Sequence, residues 1–201
     1  MTDIYWGQGE IPGAISVATK CVIGLDRDGT INEDIGTYVT DPKDFTPIPG
    51  SLEAVALLRK KGHKIVIITN QGGIEKGVMT QDSVDNVHDY MFQLLGQAGC
   101  NSIDALYYSA SSRKDDEFAK PNTGMFKRCE NENPHIKFKE GFYVGDKLSD
   151  LKAAMKMGAR PVLVRTGKGL ETEKELKKFT YKKLAKQTYV FDNLLEFAQV
   201  L

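Results

Sequence analysis

Three short stretches of this chain place reactive side chains where a reaction could use them, carboxylates in the first and last: Asp26-Arg27-Asp28-Gly29-Thr30, Thr69-Asn70-Gln71 and Gly145-Asp146-Lys147-Leu148-Ser149-Asp150. Asp26 and Asp28 stand two residues apart on an extended tip, so both side chains point to one side of it, and Gly29 permits a sharp turn away. Clustered carboxylates repel and are costly to desolvate unless a hard cation joins them. Mg²⁺ takes oxygen ligands and leaves room for a substrate phosphate, so a magnesium site is expected. One carboxylate can then attack phosphorus to form an aspartyl-phosphate. The other, held protonated, donates to the leaving oxygen and later activates water. The hydroxyl of Thr69, the amide of Asn70 and nearby backbone N–H groups can hold the transferring phosphoryl oxygens. A lysine balances the accumulated charge, and Lys120, just before Pro121, is the candidate. Each stretch alone recurs as an ordinary turn or cap; the set, in this order, points to one pocket.

The pocket needs elements to build it. An apolar run, Cys21 to Leu25, reads as a buried strand ending at Asp26. Ser51 to Lys61 has the apolar spacing of a helix, Gly62 stops it, and the β-branched run Ile65 to Ile68 follows as a strand. Thr80 stands as the N-cap of a helix with Val84, Val87, Met91, Leu94 and Leu95 on one face, closed by Gly99, and Ile103 to Tyr108 is the next strand. Helix 123–132, strand Phe142 to Val144, helix Leu148 to Met157 and strand Pro161 to Val164 continue the alternation. The Lys-rich stretch Lys168 to Lys186 reads as a solvated helix and loop, and Tyr189 to Leu201 as a short strand and closing helix. Strict alternation implies an α/β fold, a doubly wound parallel sheet with helices on both faces, whose ligands bind at the carboxyl ends of the strands.

The 201 residues suffice for one such domain, taken as residues 20–201 behind an N-terminal leader of residues 1–19. Lys plus Arg and Asp plus Glu number 27 each, so no overall basic field draws nucleic acid or an anionic membrane. Cys21, Cys100 and Cys129 form no C-x-x-C pair and read as reduced thiols. No apolar run approaches the roughly 18 to 20 residues that span a bilayer, and the N-terminus lacks a signal-peptide pattern. The expected protein is a cytoplasmic monomer acting on a small phosphorylated metabolite.

The motifs LDRDGT, ITNQGGI, AKPNTGMF and VGDKLSD, spread over residues 22–167, resemble those of the haloacid dehalogenase superfamily of phosphatases. The resemblance implies Asp26 as nucleophile, Asp28 as general acid/base, and Thr69 and Lys120 as phosphoryl stabilisers. Magnesium would be held by Asp26, Asp146 and the backbone carbonyl at Asp28, with Asp150 supporting them from behind. Within the superfamily, the TNQ-G-I-x-x-G, KP-x-x-GM and LVRTGKG stretches are similar to the heptose bisphosphate and histidinol phosphatases, which are nearly capless. No inserted domain fits between Thr69 and Lys120, so loops must select the substrate, with Asp34, Tyr38 and Gln71 as contacts and Lys147 placed to meet a second phosphate. Two departures stand out. Those relatives carry a zinc loop of Cys and His ligands before the lysine, whereas Ser109 to Lys120 contains neither, so no zinc is expected; and Ala119 stands where the heptose enzymes have Arg. The leading expectation is a heptose bisphosphate or similar sugar-phosphate phosphatase. Histidinol phosphate, the 3′-phosphate of a nucleic acid end, and an inactive binding protein retaining the fold are the alternatives.

Overall fold

The computed structural model describes residues 7–8 and 20–201. The leader expected over residues 1–19 lies outside the described residues except for Gly7–Gln8, which form β1. The remaining strands are β2 (Val22–Leu25), β3 (Lys64–Asn70), β4 (Ala105–Ser109), β5 (Phe142–Gly145), β6 (Arg160–Val164) and β7 (Tyr189–Phe191). They form one sheet in the order β1-β7-β6-β5-β2-β3-β4, every pair parallel. The helices are α1 (Ser51–Lys60), α2 (Gln81–Gln97), α3 (Gly124–Glu132), α4 (Leu148–Lys156), α5 (Gly169–Leu176), α6 (Lys182–Ala185) and α7 (Leu194–Val200).

The period-two alternation of the strands sorts the helices into two layers. Ile23, Leu25, Ile65, Ile67, Phe142, Val144, Val162 and Val164 pack with α1, α2 and α7. Their neighbours Val22, Val66, Ile68 and Tyr143 pack with α3 and α4, and Leu163 and Val190 with α4, α5 and α6. α2 begins as its sequence predicts: Thr80 Oγ1 accepts from the Ser83 N–H at 3.1 Å while Ser83 Oγ accepts from the Thr80 N–H at 3.0 Å. β4 starts later than the apolar run suggests. Asp104 closes that end, its Oδ2 accepting from Ile65 N and Arg59 Nη1 at 2.8 Å each.

The chain runs outward from β2 through β3 to β4, then crosses to β5 and runs outward again through β6 to β7. The order reverses at the β2–β5 boundary, where open α/β sheets form their ligand crevice. Gly24 makes the packing beneath it possible. A Cβ there would lie 2.4 Å from the Tyr143 ring, so glycine lets Tyr143 cross β2 and send its hydroxyl toward the tips of β2 and β3.

Candidate active site

Asp26 follows β2 without leaving the ladder, its N–H donating to Val144 O at 2.9 Å. The side chain is 4% exposed. Its Oδ1 accepts from the Arg27 N–H and pairs with Lys120 Nζ, both at 2.8 Å, while Oδ2 has no hydrogen bond among the described residues.

Lys120 comes from the loop before α3 and is almost wholly buried. Besides Asp26, its ammonium meets Asp150 Oδ1 at 2.7 Å and donates to Ile68 O and Tyr143 Oη at 2.9 Å each. Burial opposes its charge, but the carboxylates of Asp150 and Asp26 outweigh that and raise its pKa well above the usual lysine value. Asn70 clamps the main chain of Lys120: its Oδ1 accepts from the Lys120 N–H at 2.9 Å and its Nδ2 donates to Lys120 O at 3.1 Å. The second N–H of that amide makes no hydrogen bond among the described residues, and Asn70 lines the cavity above the site.

Asp146, at the tip of β5, is fully buried, and its Oδ2 accepts from the Lys168 N–H at 2.8 Å. Among the described residues its Oδ1 is buried without a hydrogen-bond partner. Oxygens of Asp26, Asp146 and Asp150 lie within 4.8 Å of one another. Burial, with the charges of Asp150 and Asp26, lifts the Asp146 pKa to about 7 against the opposing charge of Lys147. Three converging carboxylates with one oxygen orphaned fit a hard divalent cation. The trio brings Asp150 beside Asp26 and Asp146, the two carboxylates of the expected ligand set, whose third member is the main-chain oxygen of Asp28. Gly29 makes the crowding possible: its φ is +85°, and a Cβ there would lie 2.1 Å from Asp146 Oδ2.

The Asp28 side chain is taken up elsewhere. It accepts from Arg27 Nε (3.2 Å) and Nη2 (2.9 and 3.0 Å), from Asn32 Nδ2 (2.9 Å) and from Gln71 Nε2 (2.9 Å). Burial pushes its pKa up, but the charge of Arg27 and these donors outweigh burial and hold it below the usual carboxylate range. The expectation that Asp28 is held protonated is therefore corrected for the free protein. Gln71 braces this arrangement: only 2% exposed, it donates to Asp28 and to Thr69 Oγ1 and accepts from Arg27, and it also lines the cavity.

Above these groups lies a cavity of ≈ 360 Å³ lined by Asp26, Asp28, Thr69, Lys120 and Lys147 and walled by Asp34, Thr37, Tyr38, Ser112 and Lys114. Lys147 Nζ stands 3.2 Å from Asp34 and 3.6 Å from Asp146. A second cavity of ≈ 670 Å³ shares Asp34, Thr37 and Tyr38 and adds Lys76, Val78 and Lys168. Lys76 lies over the Tyr38 ring, 5.5 Å from its centre. Sequence reasoning missed Arg27, Asn32, Ser112, Lys114, Lys76 and Lys168. Arg27 carried a signal, a lone cation between the two aspartates of a buried strand's tip; surface lysines in loops carry none. Ala119 is fully buried and contributes nothing to the cavity wall.

Residues 22–187 match the family described as polynucleotide kinase 3 phosphatase. A D-glycero-beta-D-manno-heptose-1,7-bisphosphate 7-phosphatase of Pseudomonas putida is 35% identical over 177 residues, 88% of this chain and 97% of the relative. The D-glycero-D-manno-heptose-1,7-bisphosphate 7-phosphatase of Chlorobaculum tepidum is 37% identical over 163 residues, 75% of this chain and 81% of the relative. Among solved structures, the D,D-heptose 1,7-bisphosphate phosphatase of B. bronchiseptica, complexed with magnesium and phosphate, superposes with a TM-score of 0.79 at 31% identity, covering 90% of this chain and 97% of its own.

Proposed function

Since this chain belongs to the polynucleotide kinase 3 phosphatase family, we propose that it hydrolyses a phosphomonoester through an aspartyl-phosphate on Asp26, with a sugar phosphate of the heptose 1,7-bisphosphate type as substrate. The observation that carries this reading is Asp26 itself: one oxygen is held by Lys120 at 2.8 Å and the other lacks a hydrogen bond among the described residues, beside the orphaned oxygen of Asp146.

In the proposed reaction Asp26 Oδ2 bonds to phosphorus, the bond from phosphorus to the leaving oxygen breaks, and that oxygen takes a proton from the Asp28 carboxyl. Water then gives its proton to Asp28 and its oxygen to phosphorus, releasing inorganic phosphate and restoring Asp26. The free protein holds Asp28 ionised. A dianionic phosphate brought against it raises its pKa by like-charge repulsion, so the substrate itself loads the proton. Thr69 and Lys120 bear on the phosphoryl oxygens, and Asn70 and Gln71 hold those two residues in place. Magnesium would be held by Asp26, Asp146 and the main-chain oxygen of Asp28, with Asp150 fixing Lys120 behind them. The ion supplies neutralisation of phosphoryl charge.

Substrate choice rests on the loops. The second cavity, with Tyr38, Lys76 and Lys168, suits a distal phosphate on a sugar, and Lys147 and Lys114 line the way to it. Zinc has no part in this reading. The loop that carries Lys114 holds itself, Asn122 Nδ2 donating to Lys114 O at 2.9 Å and to Asp116 O at 2.8 Å, with Arg113 paired to Glu75 at 3.2 Å. The family description favours a second reading, the 3′-phosphate of a nucleic acid end. Against it, no lysine of the run from Lys174 to Lys186 lines either cavity; Lys186 borders a separate pocket with Arg160 and Tyr189, which open their strands at the opposite edge. No described helix is long and apolar enough to cross a membrane; a monomer working on a diffusible cytoplasmic metabolite is part of the proposal.

Phosphate release from heptose 1,7-bisphosphate, histidinol phosphate and a 3′-phosphorylated oligonucleotide, with and without Mg²⁺, tests the reading. Mg²⁺-dependent turnover of the first at least tenfold faster than the others is expected, and Asp26→Asn should lower it by roughly 10³-fold or more. A preference for the oligonucleotide would overturn the substrate; undiminished turnover by Asp26→Asn would overturn the mechanism.

A further inference from the structure

Arg27 heads the fully buried side chains by size and lies between Asp28 and α2. Its Nε and Nη2 are committed to Asp28, and Nη2 also to Gln71 Oε1 at 3.2 Å. The remaining nitrogen, Nη1, meets Nε2 of His88 at 3.1 Å across 61 residues of sequence. A guanidinium has only donors, so this bond has one possible polarity. Nη1 donates, Nε2 accepts, and the imidazole is neutral with its proton on Nδ1. Burial and the charge of Arg27, which push the His88 pKa down to about 3, act in the same direction.

His88 is itself held. It is 3% exposed, and its ring packs against Tyr108 with centres 5.5 Å apart and planes tilted by 57°. The Tyr108 hydroxyl donates to Asp85 Oδ1, one turn back on α2, at 3.1 Å. The other buried residues of α2 are Val84, Val87, Met91 and Leu95. A histidine on that apolar face costs desolvation that leucine would not, and the bond to Arg27 is what it gains. Without an acceptor at this point Nη1 would be a buried donor without a partner, and the guanidinium would be free to turn away from Asp28.

We propose that His88 is a positioning residue for the phosphatase reaction: by accepting from Arg27 it fixes the guanidinium, and the guanidinium in turn aims the Asp28 carboxyl at the leaving oxygen. The inference rests on the reading of Asp28 as the proton donor. His88 touches neither substrate nor reacting atoms.

Two substrates separate this role from simple core filling. An alkyl phosphate such as heptose 1,7-bisphosphate needs its leaving oxygen protonated, whereas p-nitrophenyl phosphate releases a stable phenolate without help. For His88→Leu, the single-turnover rate of leaving-group release from the alkyl phosphate should fall roughly 10- to 100-fold, no more than the 10²–10⁴ that general acid catalysis contributes in full. KM should hold, and the single-turnover burst of p-nitrophenol, which reads the first step before Asp28 is needed as base, should stay within about twofold. His88→Gln, whose amide oxygen can accept from Arg27, should recover most of the loss. Equal losses on both substrates, or none, in a folded variant would overturn the proposal. Should His88→Leu not fold, His88→Gln is compared with His88→Met, which fills the space but offers no strong acceptor; equal behaviour of these two would overturn it as well. Asp28→Asn is the control. If it slows the single-turnover release of both leaving groups equally, the donor role of Asp28 fails; if in that step it is selective for the alkyl phosphate and His88→Leu is not, only the role of His88 fails.

Discussion

At the scale of single residues, an ammonium buried between two carboxylates is stable only because both are there, and each of them depends on it in return. Lys120 pairs with Asp26 at 2.8 Å and Asp150 at 2.7 Å with almost no access to water. Removing one member of a buried ion pair leaves charge uncompensated at a cost of about 3–5 kcal/mol, so Lys120→Met should lower the unfolding free energy by about that much as well as abolish turnover, as read by chemical denaturation beside phosphate release. The exposed lysines of the second cavity follow other rules. Solvent screens them, and a contact there contributes about 1 kcal/mol or less. The double variant Lys76→Ala, Lys168→Ala should accordingly raise KM for a bisphosphate a few-fold and leave KM for p-nitrophenyl phosphate unchanged. Asp26, Asp28 and Asp146 were legible because their spacing places them at strand tips, and Lys120, in the loop before α3, because it stands in the Lys-Pro pair of a motif. The tasks of Asn70 and Gln71 were not, since an amide can face phosphate or clamp a backbone with the same sequence, and the neighbour at 2.9 Å decides.

At the scale of elements, the strands and helices were legible nearly to the residue, because fully buried parallel strands are continuous apolar runs and their helices carry ordinary stop and start signals. The loop from Ser109 to Lys120 was not. It has no periodicity, and its shape depends on Asn122, a residue outside it that holds the carbonyls of Lys114 and Asp116. Asn122→Ala should free that loop. Amide exchange over residues 112–118 is expected to quicken and KM to rise about threefold or more with kcat little changed, since lost neutral hydrogen bonds are worth about 1 kcal/mol each. An unaltered KM would mean that the loop does not shape the cavity.

At the scale of the whole molecule, charge and fold meet in the response to pH and metal. Asp146 has its pKa raised to about 7 from the ordinary 3.8. The protonated form is the one the fold favours, so this contribution is present in full below about pH 4 and is lost as pH rises through 7. Metal-free protein should therefore lose thermal stability from pH 6 to 8, Asp146→Asn should flatten that loss, and millimolar Mg²⁺, which binds the ionised form, should raise Tm most at the alkaline end. Melting curves with and without Mg²⁺ decide it; an Mg²⁺ effect undiminished in Asp146→Asn would sink the assignment of Asp146 as a ligand. The sequence by itself determined the parallel α/β sheet and which carboxylates gather at the strand tips. These follow from local rules: hydrophobic period, breakers, and the position of acids relative to strand ends; the resemblance to the haloacid dehalogenase superfamily rested instead on its four motifs. Only the tertiary structure decided that Asp28 is latched to Arg27, that His88 stands behind that latch, that Asp150 shares Lys120 with Asp26, and that two lysine-lined cavities meet at Tyr38. Arg27 and Asp28 are neighbours, but the donors that hold the pair, Gln71 and His88, and the other contacts named here come from segments far apart in the chain, set by the packing of α2, α4 and the loops around β2, and no spacing within one segment encodes them.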